Sequence, residues 1–171
     1  MNLFLLDEDL DVCAAYHVNK HMKIIVECCQ VLATAYPSGV ARMKHTHFNH
    51  PIAAFVRKSL SNFNFAIKYG EALCRENFFR YGRHHKCEMD LKWYKENQPD
   101  IPDIGATEFP RAFGDFKDSI PKNLTIHQAY REYYKTKKHL FFNKDGSHCW
   151  KNREMPIWIN NYLTSSKSVV R

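Results

Sequence analysis

Three runs of the chain gather imidazoles, amines and a carboxylate at spacings suited to acid–base or phosphate chemistry. The first is His17, Lys20, His21, Lys23 and Glu27. At about 100° per residue, His17, Lys20 and His21 share one helical face, and Lys20 and Lys23 flank Glu27. An amine beside a carboxylate suits a lysine nucleophile with a general base, and paired imidazoles suit acid and base steps on a phosphodiester. His17, Lys20, His21 and Glu27 are therefore the candidate catalytic groups, with Lys23 as a phosphate ligand. The bland alternative makes Lys23 and Glu27 a solvated i,i+4 pair on the polar stripe of a core helix.

The second run, Lys44, His45, His47, Asn49 and His50, stands immediately before Pro51. Free backbone donors at a helix N-terminus already form an anion site, and imidazoles and an amide there suit phosphate. Simple capping by Asn49 or His50 is the competing reading. The third run is Arg80, Arg83, His84, His85 and Lys86, with Tyr81 and Trp93 nearby as rings on which a base can stack. Cations at a helix C-terminus are also favourable on dipole grounds alone. The functional reading expects all three runs to face one pocket.

His17 and His21 at i,i+4 raise the question of zinc. No HExxH motif and no CxxC pair completes such a site, and Walker A, GxGxxG and GxSxG are absent, so no metal and no cofactor is expected. The six cysteines lack a disulfide-framework spacing and read as reduced core residues of a cytoplasmic protein. A formal charge of +7 favours an anionic partner, nucleotide or nucleic acid. The apolar opening, residues 1–6, is too short for a signal region or a membrane span, so no membrane partner is expected. Self-association is left open.

The elements that must position these groups are helical. Over 171 residues with 44% hydrophobic content, the pattern implies a mostly α, single-domain helical bundle, residues 1–171. Asp7 or Asp9 caps a helical stretch from Leu10 to Tyr36, with a break near Asn19. Residues 22–35 are apolar on nearly every face except a stripe of Lys23, Glu27 and Gln30. Helical periodicity returns from Ile52 to Arg83 with a break near Ser59 or Ser61, and again from Glu88 to Glu96. Gln98 to Phe116 holds Pro99, Pro102 and Pro110 and reads as a long Pro-rich irregular segment. Thr125 and Gln128 form a capping box that opens a helix expected to reach Phe142. Asn143 to Gly146 is a turn, Pro156 to Leu163 packs back on the core, and Thr164 to Arg171 is a polar tail that frays.

The runs YHVNKH, HTHFNHP and RYGRHHK, followed by AYREYY, resemble a group of small, uncharacterised tailed-phage proteins that share the YHxxKH, NHP and RYG-x-HK steps over nearly the whole chain. That resemblance implies a phage protein acting in the bacterial host cytoplasm and carries no activity with it. A weaker likeness is to the pyrimidine-dimer DNA glycosylases, small basic helical proteins whose bacterial members also carry an NHP step. In that family an N-terminal amine attacks the sugar and a glutamate on the first helix assists. The likeness implies that role for Glu27. Asn2 stands where the family has a small residue freed by methionine removal, so Lys20 or Lys23 would have to supply the amine.

Three functions follow as expectations. The first is a phage protein that binds, and cleaves without metal, a small phosphate-bearing nucleotide such as a host immune signal, in counter-defence. The second is a DNA-directed enzyme of glycosylase type, which requires a basic groove and an aromatic or apolar wedge. The third is a non-enzymatic inhibitor that binds a host protein through the Pro-rich stretch and the tyrosine-rich helix.

Overall fold

A computed structural model describes residues 2–168, and among these it contains seven α-helices and no β-strand, only an isolated bridge between Phe142 and His148. Helix α1 spans Leu10–Tyr16, α2 Ile24–Ala33, α3 Pro51–Lys58, α4 Leu60–Tyr81, α5 Cys87–Glu96, α6 Ile126–Lys135 and α7 Ile157–Ser168. The side chains of residues 166–168 and the whole of residues 169–171 lie outside the description; residues 164–168, expected to fray, continue α7 as helix. Helix α4 is the axis against which α1, α2, α3 and α5 pack, and α2 also meets α3 and α5. No described helix is long and apolar enough to cross a membrane.

Local chemistry sets the boundaries. The Asp9 carboxylate accepts the N–H groups of Asp11 and Val12 and starts α1. His50 caps α3 through Nδ1, which accepts the Ile52 N–H at 3.2 Å, and Pro51 fills the first turn. Ser59 is extended (φ −154°) and separates α3 from α4, and its hydroxyl donates to Asp103. Helix α4 ends on Gly82 in the left-handed conformation (φ 63°), which favours glycine.

The stretch 10–36 is divided, as expected near Asn19, by two extended residues, His17 and Val18, and a 3-10 turn, Asn19–His21. The cause is Arg80, whose guanidinium donates to the carbonyls of Ala15 and His17 and so removes acceptors that a continuous helix would use. Helix α6 has its capping box but stops at Lys135 instead of reaching Phe142. The Thr136 hydroxyl bonds back to the Tyr133 carbonyl at 2.7 Å, and the chain turns through a second 3-10 segment, Lys138–Leu140, to bury Phe141.

Residues 2–6 form no regular element, yet they run through the interior, with Leu3, Phe4, Leu5 and Leu6 all buried. The Tyr69 hydroxyl donates to the Phe4 carbonyl and Arg131 Nε to the Leu6 carbonyl, satisfying backbone acceptors that no sheet serves. Residues 98–113 also lack helix and strand, but the Asn62 side chain binds Thr107 at both its backbone N–H and its hydroxyl, and Asp103 binds Ser59 and Ser61. All six cysteines are free and buried.

Candidate functional site

Glu27 lies one turn into α2 and turns toward the amino end of the chain, where its Oε2 accepts the backbone N–H of Asn2 at 2.9 Å. Asn2 is buried and donates its amide to the Ala112 carbonyl at 2.6 Å, while its Oδ1 has no hydrogen-bond partner. Around them opens a cleft of about 300 Å³ lined by Asn2, Phe4, Lys20, His21, Lys23, Glu27, Tyr133, Lys137, His139 and Leu140. Glu27 is thus the carboxylate of a cleft that also presents three lysines and two imidazoles.

Behind the cleft, two histidines and two tyrosines form a buried network. The His17 Nδ1–H donates to the Cys13 carbonyl at 2.8 Å, and its Nε2 lies 3.3 Å from the Tyr69 hydroxyl. Because a carbonyl only accepts, this contact assigns the proton to Nδ1 of His17. The Tyr134 hydroxyl accepts the Val18 N–H at 3.0 Å and lies 3.3 Å from His21 Nδ1. If its own proton goes to that nitrogen, His21 is left as the Nε2–H tautomer, a donor at the edge of the cleft. Burial pushes His17 down to about 4, with Arg80 adding to the effect. Burial, then His17, Lys23 and Lys137, push His21 down to about 2. Both rings are neutral at ordinary pH, so His21 acts as a hydrogen-bonding group and not as a proton source.

Of the first run, then, Lys20, His21, Lys23 and Glu27 meet in the cleft and His17 supports it from inside. No residue of the second run lines the cleft; burial lowers the affinity of His50 for a proton, His47 adds to that shift and the charge of Glu27 opposes it. His50 spends Nδ1 on the cap of α3. His47 and Asn49 are exposed, His47 in the left-handed conformation (φ 51°), and the Nε2 of His45 is buried without a partner beside Phe48.

The third run does not face this cleft. Arg80 is fully buried and bonds Glu76, Asn19 and the α1 carbonyls. Burial alone would raise the Glu76 acid, but hydrogen bonds from Arg153 and Arg80 outweigh it and hold the group ionised. His85 accepts the Cys87 N–H and begins α5, Lys86 is exposed, and the Arg83 guanidinium lies 6.0 Å from the Tyr81 ring. Trp93 packs on Tyr36 and Tyr94. His84 lines a larger, mostly apolar cavity of about 580 Å³ between α4 and α5. Its size does not make it the site of chemistry, because its polar groups are already partnered, His84 Nδ1 with Glu88 at 2.8 Å and Lys95 with Glu71 at 3.0 Å.

One metal-sized cluster exists among the described residues. Cys29, Cys87 and Asp90 each bring a ligand atom within 4.8 Å of the others. Cys29 is about 200° around α2 from Glu27, so the cluster lies across the helix from the cleft, and Asp90 is already bound by Arg42 at 2.7 Å.

Sequence reasoning did not single out Asn2, Tyr133, Lys137 or His139 for the cleft, and it read the segment of Tyr133 only as a tyrosine-rich helix. Asn2 carries no signal in its type, and His139 reaches the cleft only because α6 ends early. Comparisons with models of protein families, with curated proteins and with solved structures find no match.

Proposed function

We propose that the protein is a DNA-directed enzyme of glycosylase type, in which Glu27 acts on the sugar of a nucleotide drawn into the cationic cleft. The observation that carries this reading is the pairing of the Asn2 backbone nitrogen with the Glu27 carboxylate inside a ring of lysines. It resembles the juxtaposition that the likeness implies, with a residue near the amino end set against a glutamate, which here stands on the second helix, α2. When the bond from C1′ to the base breaks, the bonding pair leaves with the base and positive charge develops on the sugar, where a fixed carboxylate stabilises it. The lysines bind the flanking phosphates, and the neutral His21 ring is a hydrogen-bonding group for the leaving base. Lys20 and Lys23 are the amines that the sequence reading offers for attack at C1′.

The test is incubation with duplexes carrying an abasic site or a damaged base, followed by borohydride. A trapped covalent complex, with peptide mapping placing the link on a cleft amine, supports the reading. Glu27→Gln should keep DNA affinity within about threefold and lose about a hundredfold or more in turnover. Failure to trap any adduct, together with no base release from a lesion panel, would overturn it. A second reading is favoured by the size of the cleft, about 300 Å³, which suits a single nucleotide. In that case a free nucleotide raises the melting temperature and DNA does not.

A further inference from the structure

Beside the cleft lies a second cavity of about 430 Å³, to which Phe116, Lys135 and Lys138 contribute. Tyr133 stands between the two. Its ring lies against Phe4 (5.3 Å, 13° between planes) and Phe113 (5.4 Å) inside, and against Phe116 (5.8 Å) outside. A row of rings therefore runs from the interior to the surface and ends on a phenylalanine that is 41% exposed.

Single exposed apolar rings are ordinary on protein surfaces. Of the four other exposed phenylalanines among the described residues, all but Phe142 have a cation or an imidazole against the ring. Arg57 lies 3.6 Å from Phe48, Arg153 lies 4.0 Å from Phe79, and His84 lies 4.6 Å from Phe78. Phe116, on a short 3-10 turn, Gly114–Phe116, lines the second cavity and abuts Tyr133, which lines the cleft. The Lys137 amine stands 5.2 Å from the Tyr133 ring on the cleft side. Lysines on both sides of one exposed ring match a polyanion whose bases stack, and the spacing matches a strand that crosses from one cavity to the other.

We infer that Phe116 is the wedge that enters a DNA duplex when a nucleotide is drawn into the cleft, that Tyr133 stacks on the extruded base, and that the adjoining strand runs past Lys138. The inference rests on the glycosylase-type reading and adds the residues that open the duplex. An aromatic wedge replaces the stacking lost by the extruded base and so lowers the cost of extrusion.

The experiment uses the full chain and a duplex with 2-aminopurine beside an abasic site. Binding of the wild type should raise the fluorescence as the probe unstacks. Phe116→Ala should cut that rise about fivefold and slow turnover about tenfold, while affinity and melting temperature change little. Phe116→Leu, which keeps an apolar wedge, should restore most of the signal. Lys138→Gln should reduce the slope of log affinity against log salt by about one, the loss of one phosphate contact. If Phe116→Ala binds, unstacks and turns over DNA like the wild type, the wedge is refuted and the glycosylase-type reading stands. If the wild type neither binds nor processes DNA, both fall.

Discussion

Acidification should unfold the protein through His17 in a way that a single substitution removes. His17 is fully buried, its proton affinity is lowered from the ordinary 6.5 to about 4, and its Nδ1–H is committed to the Cys13 carbonyl. Between those two values the unfolded chain binds a proton at this ring that the folded chain does not, so stability falls as the pH falls. The loss attributable to His17 is about 2 kcal/mol between pH 7 and pH 4.5, approaching about 3 kcal/mol below pH 4. His21, lowered to about 2, adds a contribution of the same sign. Carboxylates such as Glu76, held ionised by Arg153 and Arg80, also lose their advantage on acidification, so the wild-type profile alone does not isolate the imidazole. The comparison is with His17→Asn, whose side-chain amide can replace the Nδ1–H donor but does not titrate. Urea denaturation of both proteins at pH 7 and pH 4.5 gives the difference directly. The variant should be less stable at pH 7 and should lose about 2 kcal/mol less than the wild type on acidification. Parallel losses in the two proteins would refute the reasoning.

Two further outcomes test the frame of the site. Arg80→Met should cost about 3–5 kcal/mol, read as a lower urea midpoint with an unchanged slope, because the Ala15 and His17 carbonyls lose their donor inside the protein. An unchanged midpoint would mean that Arg80 does not hold the break between α1 and α2. Gly70→Ala should cost about 1–3 kcal/mol, since an added Cβ would meet Leu91 Cδ2 at 2.7 Å and Cys28 Sγ at 3.2 Å where α4 passes α5 and α2. A variant as stable as the wild type would show that α5 shifts freely against α4.

Much of the helical plan was legible because it rests on local chemistry. The cap at Asp9, the Pro51 start, the break at Ser59 and the Thr125 capping box each involve residues within a few positions of one another. The neighbourhood of Lys20, His21, Lys23 and Glu27 was also legible, since residues so close in sequence stay near one another, although the break between α1 and α2 turned His17 inward. The convergence of all three runs was not. His84 and His85 are spent at the start of α5, and Arg80 is drawn inside by Glu76, which no spacing rule relates to the carbonyls of α1.

By itself, then, the sequence determined that Glu27 sits among cations on a buried helix, because helical period and charge are local properties. Only the tertiary structure decided what faces it. Residues 3–6 are apolar, but no helical pattern says what they pack on, and residues 2–6 are placed by Tyr69, Arg131 and Ala112, which are distant in sequence. That placement sets the Asn2 nitrogen on Glu27 and makes Lys137 and Tyr133 walls of the same cleft.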